Sequence, residues 1–358
     1  MREAGQEARL RYYLRRYAEA FDEVLFFSYA REQFDLSDIH RAVRIVPRKL
    51  PLDGSVYSMA MPLVAHSEMA SCDVLRVLQM SAAASAALAK AFYGLPYVAT
   101  FGYDLPTLAR RRGWIHGKWA AVNIWLACRN ADAIIYGTPF LYELLQTYRP
   151  RGELIHIPNG VDLTLFEPTK IRTSPAGPWR IMSVGRLSSE KNYRTLIEAL
   201  RGMKGVELHL IGSGPERSEL ERLADRIGVP LRLHGTLRQT ELPSVLAAAD
   251  VFVLPSLTEG HPKALLEAMA CGVPCLGAKE APGIRALIED GVNGVLSEGN
   301  VPGLRAAVER LLSDRGHAAS MAGEARVRIE RDYDLDALVS SEIRTLRRFA
   351  RARRDGVD

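Results

Sequence analysis

The chain has 358 residues, 47% hydrophobic and 25% charged, with 28 Gly and 19 Pro. These proportions fit a chain with a substantial core and exclude collagen-like or low-complexity architecture. Four Cys are too few for a disulfide framework and point to a reducing cytoplasm, and no apolar run approaches the roughly 18–20 residues that a membrane span requires. The net charge is +5, too mild to argue for nucleic acid. Residues 1–160 hold 19 Lys/Arg against 15 Asp/Glu, and the last fifteen residues carry six Arg. That distribution suits an anionic surface, an anionic lipid or a phosphorylated substrate, and equally a solvated helix face.

The N-terminus, MREAGQEARLRYYLRR, lacks the apolar stretch of a secretory signal and opens an amphipathic helix over about 5–20. Short apolar runs then alternate with helical spacing, the pattern of βαβ units and parallel sheets. Strands are predicted over 23–29, 43–47, 73–79, 97–102, 133–138 and 154–159, with helices over 81–94 and 115–131 among them. The second half is cleaner: strands over 180–185, 207–212, 231–236, 251–256, 274–278 and 294–298, with helical segments at 190–202, 216–228, 241–249 and 262–271. The stretch 163–178, with three Pro and no periodicity, reads as a linker, and from 317 onward the chain is nearly all helical. The expected domains are 1–160, 161–335 and a terminal helix at 336–358. Two doubly wound domains of this kind bind ligands at the carboxyl ends of their strands, across a cleft. No strand precedes the first helix, so the first domain is expected to lack its usual first strand, unless another segment fills the place.

The most informative stretch is VFVLPSLTEGHPKALLEAMACGVPCLG, 251–277. A strand ends near Ser256, a loop carries Glu259-Gly260-His261, and a helix starts near Pro262 or Lys263, leaving free N–H groups and a positive dipole end for an anion. Glu259 and Glu267 would repel phosphate and suit the hydroxyls of a sugar or ribose. An anion site beside two readers of diols describes a nucleotide-sugar.

EGHPKALLEA resembles the E-x7-E motif of retaining glycosyltransferases of family 4, which have the GT-B fold. The resemblance implies that Glu267 binds ribose hydroxyls and that Glu259 lies by the donor sugar. VGRLSSEKN (184–192) is similar to the family's strand-end motif, in which the residues matching Arg186 and Lys191 grip the donor diphosphate beside Gly185. IGSGP resembles a further glycine turn, with Gly212 and Gly214 letting backbone approach the nucleotide. HGTL places Gly235, Thr236 and Leu237 where the family contacts the base, and PNGVD, with Asn159, matches its interdomain segment. The implied donor site is completed by Gly260, His261, Pro262, Lys263 and Ala264. The C-terminal helix, with Leu338, Ile343, Leu346 and Phe349, is expected to pack on the N-terminal domain.

The first half departs from the family pattern. Phe101-Gly102-Tyr103-Asp104 puts Phe where many members carry a His facing the donor, leaving Gly102 and Asp104 as candidates for a cleft-lining turn. His116 reads as an ordinary surface residue, and Ala4-Gly5-Gln6 as a remnant of the family's first glycine loop. Arg110-Arg111-Arg112 suits a lipid diphosphate or a solvated face alike. Cys271 and Cys275 lack the second pair of a zinc site, and Asp132, Asp250 and Asp290 need no chemistry where they stand.

The implied reaction is transfer of a hexose-type sugar from a UDP- or GDP-sugar, with retention, to a hydroxyl of a glycan or lipid-linked acceptor. Arg186, Lys191 and the 262–263 helix start would stabilise the leaving diphosphate without a metal or other cofactor, and Glu259 would act at the sugar. Such a protein would be cytoplasmic, with contact at the inner face of an anionic membrane. The competing readings are a sugar-nucleotide epimerase or phosphorylase of the same fold and a non-catalytic nucleotide-sugar-binding subunit. A Rossmann oxidoreductase is disfavoured because GSGP lacks the third Gly of a dinucleotide fingerprint.

Overall fold

The structure is a computed structural model describing residues 4–28, 38–52, 54–78, 80–102, 114–168 and 177–355. The chain divides into two compact units, one of residues 8–158 with 338–358 and the other of residues 1–7 with 159–337. Asp104 and the 110–112 arginines lie outside the described residues, as does the side chain of His116.

The N-terminal unit takes in α1 (Ala4–Ala18) from residue 8, then β1 (Val24–Phe27) and β2 (Val43–Val46). These two strands pair in parallel, Val24 opposite Val43, as a sheet of their own. Alternation sets their two faces. Val24, Phe26, Val43 and Ile45 pack with Leu14 of α1, while Leu25, Phe27 and Val46 join the main core of the unit. There follow α2 (Gly54–Val64), α3 (His66–Ala70), β3 (Leu75–Val77), α4 (Ala83–Tyr93), β4 (Tyr97–Phe101), α5 (Trp114–Asn130), β5 (Ala133–Tyr136), α6 (Pro139–Thr147) and β6 (Glu153–His156). The sheet runs β3-β4-β5-β6, all parallel. Among the described residues no strand precedes α1, and none joins β1–β2 to β3–β6.

The C-terminal unit holds β7 (Trp179–Val184), α7 (Tyr193–Ala199), β8 (Val206–Ile211), α8 (Arg217–Ile227), β9 (Leu231–Gly235), α9 (Leu242–Leu246), β10 (Val251–Leu254), α10 (Lys263–Ala270), β11 (Cys275–Ala278), α11 (Pro282–Arg285), β12 (Val295–Ser297), α12 (Val301–Ser313) and α13 (Arg315–Asp332). Its all-parallel sheet has the order β12-β11-β10-β7-β8-β9. The first strand is therefore central, with the second and third on one side and the fourth to sixth on the other. Alternate residues feed the two faces: Ile181, Leu208, Leu210, Val251 and Val253 into one core, Met182, Ile211, Phe252 and Leu254 into the other. With both faces covered, a parallel sheet of near-continuous apolar strands is the stable solution.

Two expectations change. The start of the supposed linker is anchored: Phe166 is fully buried, Leu163 and Leu165 pack beside it, and Arg326 Nη1 donates to the Phe166 carbonyl. The helical tail also breaks at Tyr333-Asp334, where Asp334 bridges to Val161, before α14 (Leu335–Asp355) begins. From residue 338 that helix belongs to the N-terminal unit. Val339, Ile343 and Leu346 are buried, and Glu342 meets Arg76 Nε at 2.5 Å and accepts from Tyr17 Oη. Two of the tail arginines are held by their own unit, Arg347 on the Ala20 carbonyl and Arg348 on Glu153.

Candidate functional site

In the C-terminal sheet, the chain leaves β7 toward β8 and β10 toward β11, in opposite directions. That reversal is the topological switch point, where loops diverge and leave room for a ligand at the carboxyl ends of the strands. The two loops there are 185–192 and 255–262, the ones that carry the sequence motifs.

The first loop is held from below. Gly185 N donates to the Ile211 carbonyl and Leu187 N to the Ser213 carbonyl. Gly212 and Gly214 are required by this packing: a β-carbon on Gly212 would lie 1.9 Å from the Gly185 carbonyl oxygen, and one on Gly214 2.2 Å from that of Leu187. The close approach these glycines permit is thus between backbone and backbone. Gly235 ends β9, where its carbonyl accepts from Gly212 N, and Thr236 Oγ1 meets Ser213 Oγ at 3.1 Å. Leu237 packs into the core.

Lys191 closes a 3-10 turn, Ser189–Lys191, rather than opening the helix. Asn192 then adopts a left-handed conformation (φ 58°), and its side-chain amide donates to the Gly299 carbonyl at 2.8 Å. The turn aims Lys191 across the switch point: its Nζ lies 2.5 Å from Glu259 Oε1, both side chains largely buried. A second link joins the loops, Leu257 N donating to the Glu190 carbonyl. Arg186 stands exposed at the end of the strand, and among the described residues no carboxylate pairs with its guanidinium.

On the other side, Pro262 is the N-cap of α10 and Lys263 its first residue. Leu265, Leu266, Ala268 and Met269 bury the inner face of this helix, leaving Lys263, Ala264 and Glu267 along the less buried strip. The 259–260 backbone is fixed by α11: Gly283 N donates to the Glu259 carbonyl at 3.1 Å, and a β-carbon on Gly283 would fall 2.4 Å from the Gly260 oxygen. His261 is buried, its Nδ1 accepting from Asn159 N and its carbonyl from Asn159 Nδ2, with Tyr333 against the ring. An accepting Nδ1 places the proton of a neutral imidazole on Nε2.

Arg186, Lys191, Glu259, Gly260, Lys263, Ala264 and Glu267 are thus on the loops and helix start of one sheet edge. Asn159, grouped by sequence with the first domain, belongs to the C-terminal unit and positions His261. Phe101 is fully buried in the N-terminal core, so this side chain lines no site, while Gly102 follows it at the end of β4. Sequence reasoning missed Gly283 and Tyr193. The Tyr193 hydroxyl lies 2.7 Å from where a Gly185 β-carbon would stand, beneath the turn, and burial holds its phenol well above the ordinary value. The signal for Gly283 was the Pro-Gly pair opening a helix just past a strand; nothing marks Tyr193 beyond its place after Lys191-Asn192.

No group of three His, Cys, Asp or Glu side chains placed to hold a metal occurs among the described residues. Cys271 and Cys275 are buried, and burial pushes the Cys271 thiol up to about 12 and that of Cys275 higher still. Asp132, Asp250 and Asp290 have structural duties: each accepts from a backbone N–H, of Tyr97, Arg180 and Leu296 respectively.

Comparison with known proteins shows the family. Residues 167–328 match the family model of glycosyl transferases group 1, and residues 4–165 that of glycosyltransferase family 4. The chain is 30% identical over 222 residues to the lipopolysaccharide core biosynthesis glycosyltransferase LpsE of Rhizobium meliloti, a match covering 61% of this chain and 65% of the relative's length. It is 30% identical over 289 residues to the putative colanic acid biosynthesis glycosyltransferase WcaL of Escherichia coli, covering 70% of this chain and 69% of that protein. Among solved structures, Anabaena HepE in complex with UDP and glucose superposes with a TM-score of 0.79 at 24% identity, over 96% of both chains. The chain belongs to the group 1, family 4 glycosyltransferases and has their GT-B fold.

Proposed function

We propose that the protein transfers a hexose-type sugar, with retention at the anomeric carbon, from a UDP- or GDP-sugar to a hydroxyl of a glycan or lipid-linked acceptor. The setting is synthesis of a cell-surface polysaccharide or glycolipid, as the names of LpsE and WcaL suggest. The observation that carries this reading is the Lys191–Glu259 pair across the switch point, flanked by Arg186 and the start of α10.

Breaking a glycosyl–phosphate bond leaves negative charge on the diphosphate and positive charge on the sugar. In this reading Arg186, Lys191 and the N-terminal N–H groups of α10 hold the leaving group, and fixed donors of that kind lower the barrier without reorganising. A diphosphate that engages Lys191 competes with Glu259 for it, and the freed carboxylate turns to the sugar hydroxyls. Glu267, one strip along the same helix, accepts from the ribose hydroxyls. The loops carry no side chain assigned as a covalent nucleophile. The reading is therefore a same-face displacement in which the departing phosphate takes the acceptor proton: the anomeric C–O bond to phosphate breaks, the bond to the acceptor oxygen forms, and the proton ends on the diphosphate.

Calorimetric titration with UDP, GDP, ADP and CMP tests the donor site. One of the four should bind saturably to the wild type and fail to bind Glu267→Ala. Glu259→Ala should retain nucleotide binding and lose turnover by about 10²-fold or more. Absence of saturable binding by all four nucleotides would overturn the donor assignment, and an inverted anomeric product by NMR would overturn retention.

A further inference from the structure

Strands β5 and β6 end side by side at the carboxyl edge of the N-terminal sheet, with Tyr136 the register partner of His156. Ile157 N donates to the Tyr136 carbonyl at 3.0 Å, which fixes both strand ends. The chain then turns at once into α6, where Thr138 Oγ1 accepts from Leu141 N and Pro139 opens the helix. Leu141 and Leu145 bury one face of α6, which leaves Tyr142 outward beside the strand ends.

Three rings meet there. Tyr136 lies between the other two, its centroid 5.2 Å from that of Tyr142 and 5.2 Å from that of His156, with the planes tilted by 46° and 37°. Tyr136 is half-buried, while His156 is exposed and Tyr142 is 40% exposed. The ends of β2, β3 and β4 differ, because Val46, Val77 and Phe101 are buried. Tyr17, Tyr57 and Tyr93 of the same unit use their hydroxyls inside the protein, on Glu342, Lys49 N and the Pro62 carbonyl. Among the described residues, the Tyr136 and Tyr142 hydroxyls and the His156 ring nitrogens have no such partner, and no cation lies over the three rings. Burial, with Tyr142 acting in the same sense, raises the Tyr136 phenol above its ordinary value, so its hydroxyl stays a neutral donor and acceptor.

That combination selects a ligand. Rings with an apolar face and an unengaged polar edge match a molecule that is both at once. A pyranose is such a molecule: its C–H faces stack on aromatic rings while its hydroxyls take the phenol and imidazole groups. A phosphate or a nucleic acid would call for cations, and none is bonded to these rings or stands over them. A protein or a bilayer would strip water from the polar edges without replacing its hydrogen bonds. The place fits as well, since open α/β sheets take their ligands at the carboxyl ends of the strands.

We propose that Tyr136, Tyr142 and His156 form a stacking platform for a pyranose unit of a neutral glycan acceptor. The acceptor role rests on the transfer reading, which leaves glycan and lipid open; the platform takes the glycan part. It belongs to the unit that does not carry the donor loops and binds glycan with or without a nucleotide, so its failure and that of the donor reading are distinguishable.

The test is saturation-transfer difference NMR with maltohexaose, mannotetraose, galactotetraose and chitotetraose. At least one should take up saturation from the aromatic protons of the wild type and bind about tenfold more weakly to Tyr142→Ala/His156→Ala, given the two rings removed. Both side chains are exposed, so this variant should keep the wild-type circular dichroism and nucleotide titration. Tyr142→Phe/His156→Phe, which keeps the rings and loses the polar edges, should lose less. Phe92→Ala, an exposed ring elsewhere in the unit, should bind as wild type does. In a transfer assay the Ala pair should raise KM for the acceptor and leave KM for the donor at the wild-type value. Absence of binding by all four oligosaccharides, binding indifferent to the Ala pair, or an unchanged acceptor KM would overturn the proposal. So would a dimer in sedimentation equilibrium, or binding to phosphatidylglycerol vesicles, that the Ala pair abolishes, since either gives the rings another occupant. Failure of every nucleotide to bind, with oligosaccharide binding intact, would sink the donor reading alone.

Discussion

The two units share a plan and differ in what they do with their edges. Each is an open parallel sheet, and each uses an Asp just before a strand to hold its neighbour: Asp132 before β5 accepts from Tyr97 N of β4, and Asp250 before β10 accepts from Arg180 N of β7. In the C-terminal unit the six strands reverse order at a central strand, and that reversal collects Arg186, Lys191, Glu259 and the start of α10 at one edge. In the N-terminal unit the four strands β3 to β6 run in sequence order, so among the described residues that sheet has no reversal, and the corresponding strand end carries a buried Phe101. The reversal, which the described N-terminal sheet lacks, is what leaves room for a ligand at the carboxyl ends of the strands.

The comparison breaks first at the buried charges of the N-terminal unit. Glu342 of α14 is paired with Arg76 of β3 and accepts from Tyr17 of α1, all in largely buried positions. The Arg76 guanidinium, buried yet beside Glu342, is held above its usual range. Removing one member of such a pair leaves the other uncompensated, at a cost of about 3–5 kcal/mol. Glu342→Ala should therefore split calorimetric unfolding into two transitions, with the earlier one belonging to the N-terminal unit. Nucleotide should raise the midpoint of the later transition only. A single lowered transition that nucleotide restores as a whole would show that the two units do not unfold separately.

The next effect falls on the other unit. A β-carbon on Gly214 would lie 2.2 Å from the Leu187 carbonyl oxygen and 2.6 Å from its nitrogen, backbone atoms that have no rotamer to change. Gly214→Ala must move the 185–192 loop and should cost about 1–3 kcal/mol, as overpacking does. Because that loop carries Arg186 and Lys191, the preferred nucleotide should bind at least about tenfold more weakly, about 1.4 kcal/mol. Oligosaccharide binding should be untouched. Wild-type nucleotide affinity in this variant would mean that the loop does not position the phosphate grip.

How far this could be read from sequence follows the same division. Each of the twelve apolar runs became a strand within a few residues of its expected place, because short apolar runs bounded by turn-formers suffice to mark a strand. The 185–192 and 255–262 loops were legible as loops at strand ends because their residues are constrained by local chemistry: a Gly where backbones touch, a cation after a strand, a carboxylate before a helix. What was not legible depends on tertiary partners. Phe166 reads as linker in the sequence, yet it is buried in the C-terminal core and its carbonyl is held by Arg326 of α13. Asn159 reads as a boundary residue, yet it serves His261, 102 residues away. The glycines of IGSGP suggested approach to a ligand, whereas their first duty is to the 185–187 backbone. The pairing of Tyr136 with His156 was invisible because an apolar run marks a strand without saying which strand it will lie against or in what register.

The smallest expected effect is the acid response of the β8–β9 edge. His209 of β8 lies against His234 of β9, Nδ1 to Nε2 at 2.9 Å, with its Nε2 3.1 Å from Glu207, which Arg232 also holds. Burial lowers the His209 value below the ordinary 6.5, with His234 and Arg180 acting in the same sense and Glu207 opposing. The unfolded chain therefore takes up a proton near 6.5 that the folded chain resists, so stability is full above that value and declines as the pH falls from it toward the lowered folded value. Glu207 adds a second, lower window: burial opposes its ionisation, but Arg232 and His209 together hold it below the ordinary 4.5. Its contribution is present above 4.5 and is lost as the pH falls through the lowered value. The transition that nucleotide stabilises should thus move down slightly between pH 7 and pH 5.5, where His209→Gln should flatten the slope, and more steeply below 4.5, where it should not. A midpoint for this transition that rises on mild acidification would reverse the sign. It would mean that His209 takes up its proton more readily folded than unfolded, with Glu207 outweighing burial.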